Sequence, residues 1–129
     1  MTGTVEVFEY MEERERWKII YPYDNYAISS FGRVINLNTG KYLKPQTSER
    51  GGGYVFINLY KDKKRKNVNI HILVAQYFIG PCPVGCEVHH KDGIRTNPHV
   101  DNLEYLTIEE HGKTRRKEKS GKDIVMEFI

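Results

Sequence analysis

Two adjacent histidines constrain this chain most. His89 and His90 lie in the stretch Glu87 to Gly112, EVHHKDGIRTNPHVDNLEYLTIEEHG. Neighbours on a strand point to opposite faces, so one strand can deliver an imidazole to each side of a sheet. Lys91-Asp92-Gly93 is a turn signal directly after the pair. A polar loop, Ile94 to Asp101, follows, and Leu103 to Leu106 returns as a second strand. Thr107-Ile108-Glu109-Glu110 has the Ser/Thr-x-x-Glu spacing of a capping box, which opens a helix. That cap puts His111 on the first helical turn, facing back toward the strands. A strand-loop-strand-helix unit this short brings His89, His90 and His111 to one point.

Three histidines and an asparagine, Asn102, point to metal-assisted hydrolysis. Neutral imidazole is the commonest protein metal ligand and titrates near neutral pH. Because His89 and His90 face opposite ways, one can hold a metal while the other holds a water. His111 then completes the metal site with His89. The competing readings are surface histidines or a structural zinc, which needs four protein ligands. Cys82, Cys86, His89 and His111 are the set a zinc would use.

The run VHHKDGIRTNPHVDNLEYLT followed by His111 resembles the HNH endonuclease family, in the form carried by phage and intron-encoded nicking enzymes. His90, Asn102 and His111 supply the H, N and H. The upstream helix NIHILVAQYFIG is similar to the segment preceding the motif in those enzymes. WKIIYPYDNYAISSFGRVINL, Trp17 to Leu37, resembles the NUMOD4 module often fused to such nucleases. The resemblance implies an α+β fold, a small antiparallel sheet region followed by a ββα-metal (HNH) nuclease unit. It divides the chain into an acidic lead (1–15), a NUMOD4-like β-rich module (16–60), the HNH core (61–112) and a basic C-terminal helix or tail (113–129), expected to form one globular unit.

The implied activity is a metal-dependent DNA endonuclease of the phage nicking or homing type. His90 acts as general base, and Asn102 bonds the backbone of the loop after His90. His89 and His111 hold a divalent cation, Mg²⁺ or Mn²⁺. Those relatives commonly have Asp or Asn in place of His89 and Asn in place of His111. Two imidazoles favour borderline transition metals, which admits Ni²⁺ or Zn²⁺. The alternative is a DNA-binding accessory protein, for regulation or packaging, that keeps the fold and cleaves little or nothing. The implied partner is DNA, with the chain a homodimer or a monomer.

Charge agrees with a phosphate-bearing partner. The net charge is +3, but residues 1–16 hold five acids against Arg14 and Arg16, so the remainder carries +6. Lys63, Lys64 and Arg65 lie in an expected basic turn, Asp62 to Lys66. Lys91 and Arg95 follow the histidine pair, and Lys113, Arg115, Arg116, Lys119 and Lys122 form a cationic run after His111. All are candidate phosphate contacts. No apolar run approaches the roughly 18 residues of a membrane span, and no signal peptide is visible, so a cytoplasmic location is expected. Cys82 and Cys86 then read as reduced thiols.

Further expectations are local. Val55, Ile57 and Leu59 share one face of a strand, Tyr54 to Tyr60. Gln46 to Gly53 reads as a loop. His71 to Ile79 reads as one helix capped by Asn69 and stopped at Gly80-Pro81, with His71 a hydrogen-bonded structural residue.

Overall fold

The computed structural model describes residues 14–50 and 52–111. Among the described residues, three small antiparallel sheets surround a short helix. The first contains β1 (Trp17–Ile19), β2 (Tyr26–Ser29) and β3 (Val34–Asn36), in that order. All of β2 is buried. A tight corner joins β2 to β3, where Ser29 Oγ accepts from the amides of Phe31 (3.2 Å) and Arg33 (3.0 Å). Gly32 takes φ +89° there, a conformation that L side chains rarely adopt.

The second sheet contains β4 (Gln46–Thr47), β5 (Val55–Lys61) and β6 (Lys64–Asn69). The apolar face of β5 is as expected: Val55, Ile57 and Leu59 are all buried. Two expectations change. Gln46 and Thr47 pair with Phe56 and Val55, so the polar segment starts with a strand rather than a loop. The basic turn is only Asp62 and Lys63, both at positive φ (52° and 63°), closed by the pair Lys61↔Lys64. Two residues at positive φ make the hairpin turn whose twist matches the strands. Lys64 and Arg65 therefore stand on β6.

Helix α1 (Ile70–Val74) continues into a π-helical turn, Ala75–Ile79, instead of one uniform helix. Asn69 occupies the N-cap position, but its side chain makes no capping bond. Gly80 ends the segment at φ +139°. Ile70, Leu73, Val74 and Ala75 pack against Ile28 and Val34 of the first sheet, Ile57 and Leu59 of the second, and Leu103. This shared core gives α1 a rigid seat.

The third sheet is β7 (Cys86–His90) with β8 (Leu103–Thr107), in the register His89↔Glu104 and His90↔Leu103. A 3₁₀ turn, Val100–Asn102, leads into β8, and a helical turn over 108–111 follows it. The first sheet meets the loop between β7 and β8 directly. Val100 N donates to Ser30 O at 2.9 Å, and the Phe31 and His99 rings stack at 4.5 Å. A Cβ on Gly32 would stand 2.4 Å from Pro98 Cγ. Among the described residues, no helix is long and apolar enough to cross a membrane.

Candidate active site

The capping box forms as its spacing predicts. Glu110 N donates to Thr107 Oγ1 at 3.0 Å, and Thr107 N and its hydroxyl both donate to Glu110 Oε1 at 2.9 Å. These bonds fix the start of the helical turn and aim His111 back over β7. His111 is buried, and its ring meets that of His89 edge-on, with centroids 5.1 Å apart. His111 Nδ1 bonds the carboxylate of Glu87. Glu87 and His89 are two apart on β7, so alternation puts them on one face. That spacing was the available signal for Glu87, which the motif reading passed over.

His89 and His111 are the neighbouring imidazoles that would serve an open divalent-cation site. With Nδ1 engaged by Glu87, Nε2 is the His111 ring nitrogen left for a metal, the usual arrangement of a carboxylate-oriented ligand. His89 Nδ1 is buried with no hydrogen-bond partner in the protein. Burial, with His111 second, holds the His89 pKa below its ordinary value, so its ring is neutral and able to donate. Among the described residues, no group of three or more His, Cys, Asp or Glu is placed to hold a metal. A closed four-ligand zinc therefore has no site among them. Cys82 and Cys86 are free thiols, and Cys82 Sγ points to the Cys86 carbonyl at 3.2 Å.

His90 emerges on the other face. Its ring lies 5.0 Å from that of His71 and 5.6 Å from that of Tyr54. Burial is the main cause that pushes its pKa down to about 4, which leaves a neutral imidazole at neutral pH. Asn102 ties down the turn after it. Its side-chain Oδ1 accepts from Asp92 N, and its Nδ2 donates to Asp92 Oδ1 and to Asn97 O, all at 2.9 Å. Lys91 N donates to the Asn102 carbonyl at 2.7 Å. Asp92 closes the same turn by accepting from Ile94 N (2.8 Å) and Asn97 Nδ2 (2.9 Å).

The basic candidates are scattered. Lys63, Lys64 and Arg65 are exposed at the β5–β6 hairpin, and Lys91 is exposed beside the histidines. Arg95 is half-buried, stacked on Tyr54 with its guanidinium carbon 5.0 Å from the ring centroid, and bonded to Gly52 O. Lys113, Arg115, Arg116, Lys119 and Lys122 lie outside the described residues. His71 is not hydrogen-bonded through Nδ1, contrary to expectation; it is buried in contact with the rings of Tyr54 and His90, which also meet each other. Its place beside His90 is a long-range contact that no local pattern announces.

Two strands, an intervening loop tied by an asparagine and a histidine-bearing helical turn define a protein of the ββα-metal class. Comparison with known proteins gives the family. Residues 61–113 match the HNH endonuclease family and residues 15–60 the NUMOD4 motif. DNA endonuclease I-HmuI of Bacillus phage SP01 is 38% identical over 92 residues, covering 70% of this chain and 52% of its own. H-N-H endonuclease F-TflII of Escherichia phage T5 is 31% identical over 99 residues, 75% of this chain and 50% of its own. An uncharacterized HNH endonuclease, L245, of Acanthamoeba polyphaga mimivirus is 39% identical over 90 residues, 70% of this chain and 26% of its own. The solved structure titled "DNA binding and cleavage by the HNH homing endonuclease I-HmuI" superimposes with a TM-score of 0.71 at 35% identity, covering 79% of this chain and 58% of that one. This chain belongs to the HNH endonuclease family, with a NUMOD4 motif ahead of the nuclease segment. It spans about half the length, or less, of these curated relatives.

Proposed function

We propose that this chain is a metal-dependent DNA endonuclease that hydrolyses a phosphodiester bond with His90 as general base. The observation that carries the reading is the placement of the rings across β7: His89 and His111 meet on one face, and His90, its turn tied by Asn102, lies on the other. His90, held neutral by burial, accepts the proton of a water that attacks phosphorus. Such help is typically worth ~10²–10⁴-fold. The approaching phosphate carries negative charge, which raises the basicity of His90 at the moment it is needed. Asn102 fixes the backbone from Lys91 to Asp92 and so the aim of the ring.

His89 and His111 would hold the divalent cation, Mg²⁺, Mn²⁺, Ni²⁺ or Zn²⁺, which when bound offsets charge growing on the phosphate and the leaving oxygen. Two protein ligands leave room for substrate and water, as catalysis requires. Lys63, Lys64, Arg65 and Lys91 are proposed to contact phosphates, together with Lys113, Arg115, Arg116 and Lys119. Arg95, already engaged by Tyr54 and Gly52, is proposed to reach DNA only if it leaves that contact. The test is incubation of pure protein with supercoiled plasmid across several divalent metals. Metal-dependent nicking supports the reading; DNA binding with no nicking in any metal favours a non-cleaving DNA-binding protein.

A further inference from the structure

We infer that His71 is a positioning residue for His90: its ring holds the His90 imidazole at the angle from which it meets the attacking water. The inference rests on the endonuclease reading above and adds a residue outside the H-N-H set. Three rings form a triangle with Arg95 over one of them, and Tyr54 also meets His90 directly, with centroids 5.6 Å apart and planes at 32°. The Arg95 guanidinium carbon lies 5.0 Å from the centroid of the Tyr54 ring. Tyr54 stacks on His71 with centroids 4.5 Å apart and planes at 21°. His71 then meets His90 at 5.0 Å and 47°. Rings at these separations are in contact, and the tilt at the last step leaves His90 braced rather than stacked flat.

The His71 corner of this cluster does not move easily. His71 is on the first turn of α1, between Ile70 and Ile72, and both Ile70 and Val74 have no exposed surface. His71 itself is 5% exposed. The Arg95 side closes on the loop that follows His90, because Arg95 belongs to that loop and bonds Gly52 O. Asn102 fixes the backbone of the same loop. His90 is therefore constrained twice, by hydrogen bonds to the backbone that follows it and by ring contact against its side chain. His71 Nδ1 has no hydrogen-bond partner in the protein. What His71 passes to His90 is contact rather than a polar bond. A general base works only at near-attack geometry, and a misplacement of about 1 Å can cost ~10²-fold.

The test compares His71→Ala and His71→Phe in the full chain. Single-turnover nicking, DNA affinity and the His90 imidazole signals in metal-free protein are read by kinetics, titration and NMR. His71→Ala should slow the chemical step by ~10²-fold with DNA affinity unchanged, and the His90 signals should broaden or shift. His71→Phe keeps a flat ring and should restore most of the rate. Wild-type rate and unchanged His90 signals in His71→Ala overturn the inference. Equal loss in both variants also overturns it, because a ring nitrogen and not contact would then be at work. If His71→Ala does not fold, His71→Leu fills the buried space without a flat ring and should slow the chemical step without weakening DNA binding; a wild-type rate there overturns the inference. The NMR arm needs no activity, so failure of the endonuclease reading and failure of this inference are told apart.

Discussion

Changing Asn102 to Asp probes the tie between the two strands with almost no change of shape. The substitution replaces Nδ2, which donates to Asp92 Oδ1 and Asn97 O at 2.9 Å, with an oxygen that only accepts. Two hydrogen bonds are lost, each worth about 1 kcal/mol. A second carboxylate also comes to face that of Asp92 at the former bonding distance. Asp92 is exposed, so water screens the pair, and two charges about 2.9 Å apart in water repel by about 1.4 kcal/mol. The sum is about 3 kcal/mol, or a population of the tied loop reduced by ~10²-fold. Single-turnover nicking of supercoiled plasmid should fall by that factor, and the urea midpoint should fall with it. The double variant Asp92→Asn/Asn102→Asp restores a donor facing an acceptor and should recover about tenfold, a coupling that only contacting residues show. Lowering the pH to 5 should narrow the stability gap of the single variant, since two close carboxylates take up one shared proton. A single variant with wild-type rate and wild-type midpoint would refute the tie.

Other expectations follow from the same structure. Gly32→Ala strains a backbone at φ +89° and drives a methyl toward Pro98, so it should destabilise the protein by about 1–3 kcal/mol and slow nicking through the loop that Asn102 ends; an unchanged melting temperature refutes that docking. Burial lowers the pKa of His71 to about 3 and of His90 to about 4, so the unfolded chain takes up protons first as pH falls below its ordinary 6.5. Stability is then fully present above pH 6.5 and is lost toward pH 3, by up to about 5 kcal/mol for His71 alone. His71→Phe should flatten that acid limb in urea melts, and an unaltered limb would show that His71 is not buried neutral. Changing Lys63, Lys64 and Arg65 together to Ala should weaken binding to every duplex tested and reduce the slope of log K against log salt by about 0.9 per lost contact; an unchanged slope makes the hairpin a solvated surface.

The strand-loop-strand-helix unit was legible because its signals are local. The alternation across His89 and His90, the turn at Asp92-Gly93 and the Thr107–Glu110 box each act within four residues, and each forms as spaced. The bonds of Asn102 to the turn also fall where the motif spacing suggested. What was not legible depends on partners far along the chain. Gln46 and Thr47 are polar and become a strand only because Phe56 and Val55 offer an edge. Asp62-Lys63 lacks the Asn-Gly signature of its turn type, so the hairpin looked longer and its cations looked like turn residues. His71 fits the apolar spacing of its helix, which hid its approach to His90 from a different element. The docking of the Ser30–Gly32 corner on Pro98, His99 and Val100 joins residues nearly seventy positions apart, beyond any periodicity.

The central claim is that His90 takes the proton of the attacking water beside a cation held by His89 and His111. Single-turnover plasmid nicking by His90→Ala, at saturating DNA and saturating metal, tests it most directly. The account predicts a folded variant that binds DNA and metal as the wild type does and cleaves ~10²–10⁴-fold more slowly. A variant that nicks at the wild-type rate under those conditions would contradict it.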